Sequence, residues 1–106
     1  MGTNTTQDPA AEDVQILEKT FRTAGFADVE AYRFSFASLR LRIRDNRFRG
    51  LSRVARMRLV EPVIDQLPQE IQEELIFVLP IAPGEETSTI FRRMNDEFER
   101  REIHPD

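Results

Sequence analysis

The stretch Leu39-Arg40-Leu41-Arg42-Ile43-Arg44 alternates strictly between apolar and arginine residues. An extended strand, whose successive side chains point to opposite faces, collects Leu39, Leu41 and Ile43 on one side and the three arginines on the other. A helix would scatter both sets around its axis. The chain is therefore expected to contain a sheet with one apolar face turned to a core and one arginine face turned to water. Just upstream, Val29 to Phe36 is rich in aromatic residues, and Ala37-Ser38 breaks the run. The two runs read as an antiparallel hairpin. Tyr32, Phe34 and Phe36 share one face of the first strand. The sequence leaves open whether that face meets the core or lies beside the arginine row.

Helical signals surround the hairpin. Asp8 as N-cap, Pro9 at the first helical position and acidic Glu12 and Asp13 mark a helix start. Val14, Leu17, Phe21 and Ala24 repeat at helical spacing and Gly25 supplies a stop, giving a helix over roughly 9–24. After a loop at Arg47 to Gly50, Ser52 is a plausible cap for a second helix with the stripe Met57, Val60, Ile64 and Leu67. Pro62 lies inside it and is expected to kink or break it. Pro68 opens a short helix, Gln69 to Glu74. Leu75 to Ile81 is a continuous apolar run, read as a strand buried on both faces with Pro80 toward its end or at an edge. Pro83-Gly84 is a turn. Beyond it, Ile90, Phe91, Met94 and Phe98 line one stripe of an amphipathic helix over about 87–101. The domain organisation that follows is a flexible N-terminus at 1–8, a folded domain at 9–84, a C-terminal amphipathic helix within 85–102 and a tail at 103–106.

Charge is unevenly placed. Between Arg33 and Arg58 lie nine arginines and one acid, Asp45, a net +8 in a chain of net −4, so everything outside that segment carries −12. Arginine's planar fork suits phosphate and carboxylate recognition. Arg40, Arg42, Arg44, Arg47, Arg49, Arg53 and Arg56 are the candidate contacts for an anionic partner, either nucleic acid or an acidic protein surface. The alternative is that acidic residues fold over from the ends and neutralise the belt. Phe91, Met94 and Phe98 are candidates for a protein interface, including a homodimer through the C-terminal helix, if that helix does not pack on its own domain.

The order of elements, helix–strand–strand–helix–helix–strand–helix, implies an α+β fold with a mixed three-stranded sheet and helices packed on one face. Here Phe48-Arg49-Gly50-Leu51-Ser52-Arg53-Val54-Ala55-Arg56, continuing into Met57-Arg58-Leu59-Val60, resembles the "F-x-G-x-S-x-V-x-R" stretch and following helix of the BolA-like family. That family's fold is akin to class II KH domains, and the resemblance spans roughly residues 10–86. It implies a non-enzymatic binding or regulatory protein. Family members pair with a monothiol glutaredoxin around a 2Fe–2S cluster, using a histidine in the helix and another in the third strand. In this chain those positions are Met57 and Phe77. Such a cluster needs thiolate or imidazole ligands, and the chain has no cysteine and a lone histidine, His104. No cofactor or metal is therefore expected.

Catalysis has little to work with. No Cys–His or Ser–His arrangement can be assembled. Glu73-Glu74 and Glu85-Glu86 are sequence neighbours that point apart on a helix. Arg49-Gly50-Leu51-Ser52 is not the G-x-x-G clamp of KH domains. There is no apolar run of membrane-spanning length and no secretory leader pattern at Met1 to Pro9. The expectation is a cytoplasmic, non-enzymatic adaptor, with direct nucleic-acid binding through the arginine strand, loop and helix as the alternative.

Overall fold

The computed structural model describes residues 9–101. Helix α1 (Pro9–Thr23) leads into strand β1 (Asp28–Ser35), which turns into β2 (Ser38–Arg44). A 3-10 turn at Asn46–Phe48 precedes α2 (Arg53–Ile64), α3 (Gln69–Glu74) and β3 (Leu75–Ile81). A second 3-10 turn, Glu85–Thr87, leads to α4 (Arg92–Glu99). The result is an α+β domain with one three-stranded mixed sheet, ordered β1-β2-β3, in which β1 and β2 are antiparallel and β2 and β3 parallel. The expected N-cap Asp8, the N-terminal segment 1–8, the tail 103–106 and His104 lie outside the described residues.

The stops and starts follow local chemistry. Gly25 takes a φ of 104°, which a side chain would strain. With Gly25 N–H bonded to the Arg22 carbonyl and Phe26 N–H to that of Phe21, α1 ends in a Schellman motif. The Phe21 and Phe26 rings close it at 6.0 Å. Ser52 caps α2 by accepting from the Ala55 N–H.

One face of the sheet carries Val29, Ala31, Leu39, Leu41 and Ile43, buried against Leu17 and Phe21 of α1, Val60 and Val63 of α2 and Ile71 of α3. The other carries Leu79 and Ile81, buried with Phe91 and Phe98. Helices therefore cover both faces, correcting the expectation of one: α4 lies on the arginine side. It does so because Leu79 and Ile81 stand on that side too and need cover.

Three further expectations change. Helix α2 runs unbroken through Pro62 to Ile64. Pro62 is exposed and lies within the last turn, so little helix follows it to be disturbed. β3 is not buried on both faces along its length, because it is an edge strand and Ile76 is 68% exposed. The last helix is shorter than 87–101, since residues 85–87 form a 3-10 turn and Ser88 is extended.

Candidate functional site

Register settles where the first-strand aromatics lie. Cross-strand partners share a face, and Tyr32 pairs with Arg40, which pairs with Phe77. Glu30 and Leu79 flank Arg42 in the same way, and Asp28 and Ile81 flank Arg44. Tyr32, and Phe34 through its contact with Arg40, thus share the face of the arginine row, the juxtaposition a nucleic-acid surface would need. Phe36 lies in the hairpin turn and not on that strand face.

That face is covered. Arg42 is only 3% exposed, and its guanidinium donates to Glu30 (2.7 Å), Glu99 (2.6 Å) and Asn95 (2.7 Å). Arg40, also buried, donates to the Glu97 carboxylate at 2.8 Å and to its carbonyl, while stacking 3.5 Å from the Phe34 ring centroid. Arg44 bonds Glu86 and lies 3.6 Å from Asp28. Glu30 is further held by Arg101. Although burial works to raise the Glu30 carboxyl, Arg101 and Arg42 prevail and hold it below its ordinary value. The expected solvated arginine face is corrected: acidic residues of the C-terminal segment fold over it and neutralise it.

Arg56, on α2, is 2% exposed. It forks onto Glu85 at 2.6 and 3.0 Å, donates to the carbonyls of Leu51 and Pro80, and lies 4.5 Å from the Phe91 ring centroid. The family-like stretch therefore has a structural account. Phe48 is a core ring stacked on Phe26, Gly50 takes a φ of 79°, Ser52 caps α2, and Arg56 ties α2 to β3 and the following turn.

The remaining arginines differ. Arg47 is fastened to Asp45 and to the Gly25 carbonyl, over the Phe26 ring. Hydrogen bonds from Arg47 lower the Asp45 pKa, and Asp45 raises that of Arg47. Arg49 donates to neutral oxygens of Asn46 and Pro83, and its charge helps to lower the Glu85 carboxyl. Arg53 and Arg58 are exposed and have no hydrogen-bond or ion-pair partner among the described residues. With Val54 (62% exposed), Met57 and Glu61 they line a shallow depression of about 340 Å³ on the outer face of α2. Arg92 and Arg93 on α4 are likewise exposed and unpartnered among the described residues.

Phe91, Met94 and Phe98 turn inward. Phe98 packs edge-on against Tyr32 at 5.1 Å, and Met94 joins the same cluster. The C-terminal helix packs on its own sheet and does not present these residues for a homodimer. Met57 sits half-buried beside Arg53 and Arg56 and Phe77 half-buried under Arg40, and neither is the thiolate or imidazole that an iron–sulfur cluster takes. Among the described residues no group of His, Cys, Asp and Glu is arranged to hold a metal ion, and no helix is long and apolar enough to cross a membrane.

Sequence reasoning missed Val54, Arg92 and Arg93 as surface groups, and Phe36, Ile76 and Ile90 as exposed apolar ones. Phe36 had a usable signal: a large ring at the turn of a two-strand hairpin has nothing beyond it to provide cover. No family model matches the chain, and neither a curated protein nor a solved structure matches it.

Proposed function

We propose that the chain is a BolA-like domain, akin in architecture to class II KH domains, that acts without catalysis as an adaptor for an acidic protein surface. The element order and the Phe48–Arg56 stretch support the family reading. The observation that carries the function is the sorting of the arginines. Those on the strand, with Arg56, are neutralised inside the fold, whereas Arg53 and Arg58 on α2, like Arg92 and Arg93 on α4, have no partner among the described residues, and the α2 pair stands beside the exposed Val54. A mixed basic and apolar helix face matches an acidic, partly apolar partner better than a bare phosphate backbone.

Direct nucleic-acid binding is the second reading, favoured by the same unpaired charges together with Arg49. The two are separated by fluorescence anisotropy with single-stranded RNA, single-stranded DNA and duplex DNA at two salt concentrations. Micromolar binding that falls steeply with salt would transfer the α2 face to nucleic acid. Without such binding, a photoreactive residue at Val54 should crosslink a protein in cell extract, and Arg53→Glu with Arg58→Glu should remove the crosslink.

A further inference from the structure

One end of the sheet is open, and its charged groups are paired: Arg33 with Asp13 (3.1 Å) and Glu74 (2.7 Å), and Arg40 with Glu97. The hairpin turn there holds Phe36 at 86% exposure. Two bulges flank the start of β2: Phe34 is the extra residue between the pairs at Arg33 and Ser35, and Ile76 between those at Leu75 and Phe77. Bulges re-aim side chains, and here Phe34, Ala37, Ile76 and Phe77 wall a groove of about 450 Å³ directly beside Phe36. We propose that this end is a homodimer interface, in which Phe36 of each copy enters the groove of the other about a two-fold axis.

Four features point to a second copy as the occupant. Ring and groove adjoin on one rigid end, which is the self-complementary arrangement an isologous contact requires. The turn that carries the ring is also held in place. Arg33 donates to the carbonyls of Ser35 (3.4 Å) and Phe36 (2.9 Å), Ser35 and Ser38 join their hydroxyls at 2.7 Å, and the Ala37 N–H donates to the Ser35 hydroxyl. A fixed turn loses little conformational freedom on docking. No charged residue lies between Phe34 and Leu39, and Arg40 at the groove is buried and paired with Glu97. With Arg33 also neutralised by Asp13 and Glu74, two copies can meet here without bringing unpaired like charges together.

Sheet extension is closed off. The outer edge of β1 is blocked by Arg22 on the Val29 carbonyl and Glu18 on the Ala31 N–H, and that of β3 is broken by its bulge and by Pro80. Insertion of side chains remains as the mode of contact. The proposal does not rest on the α2 reading, because none of its residues lies there.

Sedimentation equilibrium of the full chain from about 1 µM to about 1 mM tests it, the range suiting an interface below about 1,000 Å². The weight-average mass should rise toward that of a dimer. Phe36→Ser should weaken association by at least about a hundredfold, since two rings leave the interface, with an unchanged circular dichroism spectrum. Ile76→Asp alters the groove and keeps the ring, so an equimolar mixture of the two variants should associate more strongly than either alone. A chain that stays monomeric throughout the range, or a dimer indifferent to Phe36→Ser, overturns the proposal. So does a monomer whose Ala37 and Phe77 amide resonances shift with N-acetyltryptophanamide, which would assign the groove to a foreign aromatic side chain.

Discussion

The guanidinium of Arg42 lies 4.5 Å from the ring centroid of Phe98, with Glu30 and Glu99 accepting its hydrogen bonds on either side. This one contact joins the charge of β2 to the apolar stripe of α4. Phe98 is fully buried against Tyr32 and Phe77, and its backbone carbonyl accepts from the Tyr32 hydroxyl. The arginine row and the C-terminal helix are thus two halves of a second, smaller core. Burying a phenylalanine contributes about 2–3 kcal/mol, and removing α4 would also bare Leu79 and Ile81. That sum exceeds what a few phosphate contacts to a half-neutralised row would return, so the strand face is a structural surface.

Arg42→Ala should therefore lower stability by about 2–3 kcal/mol, through lost packing on Phe98 and lost partners for Glu30 and Glu99. Arg42→Met keeps the stem over the ring, and the two glutamates are exposed enough to take up water, so its loss should be nearer 1 kcal/mol. Guanidinium unfolding midpoints at constant m decide the matter. Equal losses in the two variants would show that charge, not packing, holds α4 down.

Truncation after Gly84 should give an aggregating or unfolded protein. It removes Phe91 and Phe98 from the cluster and takes Glu85 from the buried Arg56. A charged group left buried without its partner costs several kcal/mol. Size-exclusion chromatography with circular dichroism would settle it: a monodisperse, folded product would mean that the helix is an appendage.

Much of this architecture was legible from local pattern. The alternation from Leu39 to Arg44 required a strand, Gly25 and Ser52 set the bounds of helices by chemistry that lies within a few residues, and the element order implied the mixed sheet. The apolar stripe of the last helix was legible as well, except for Ile90, which lies ahead of α4 and is exposed. Its destination was not. Beyond Glu30 and Asp28 across the hairpin, the arginines of β2 find their carboxylates on α4 and in the Glu85–Thr87 turn, and pairing between segments so far apart in sequence leaves no local trace. An arginine in a strand looks solvated until something is known to lie above it. Pro62 misled for a related reason: its cost depends on how much helix follows it, and only the packed fold decides that.

Acid should destabilise the protein through Glu85 and Glu86. Hydrogen bonds from Arg56 hold the Glu85 carboxyl below its ordinary 4.5 against the opposing effect of burial. Glu86 is lowered chiefly by a backbone N–H hydrogen bond, with Arg44 adding to it. A carboxylate whose folded pKa is depressed stabilises the fold above its unfolded pKa, and that stability is lost as pH falls through the folded value. Stability should hold from neutral pH down to about 4.5 and then decline. Glu85→Gln should be less stable at neutral pH and show a shallower decline in urea titrations at a series of pH values. Parallel curves for the variant and the parent protein would remove Glu85 from the acid response.

Charge reversal should separate the structural arginines from the exposed ones. Arg40→Glu with Arg42→Glu, which from sequence alone would be expected to spare the fold, should instead unfold it. The new carboxylates would lie buried beside Glu97, Glu30 and Glu99, where like charges in a shielded site repel strongly. Arg53→Glu with Arg58→Glu changes groups that are exposed and unpaired among the described residues, so its unfolding midpoint should stay within about 0.5 kcal/mol of the parent. Binding of an acidic partner should nevertheless weaken by at least about tenfold, with a reduced salt dependence, because the charges that steer it are gone. Isothermal titration of both double variants, with their folded state checked by circular dichroism, provides the measurement. Should the Arg40/Arg42 variant remain folded and lose binding while the Arg53/Arg58 variant binds normally, the footprint would move from α2 to the strand face.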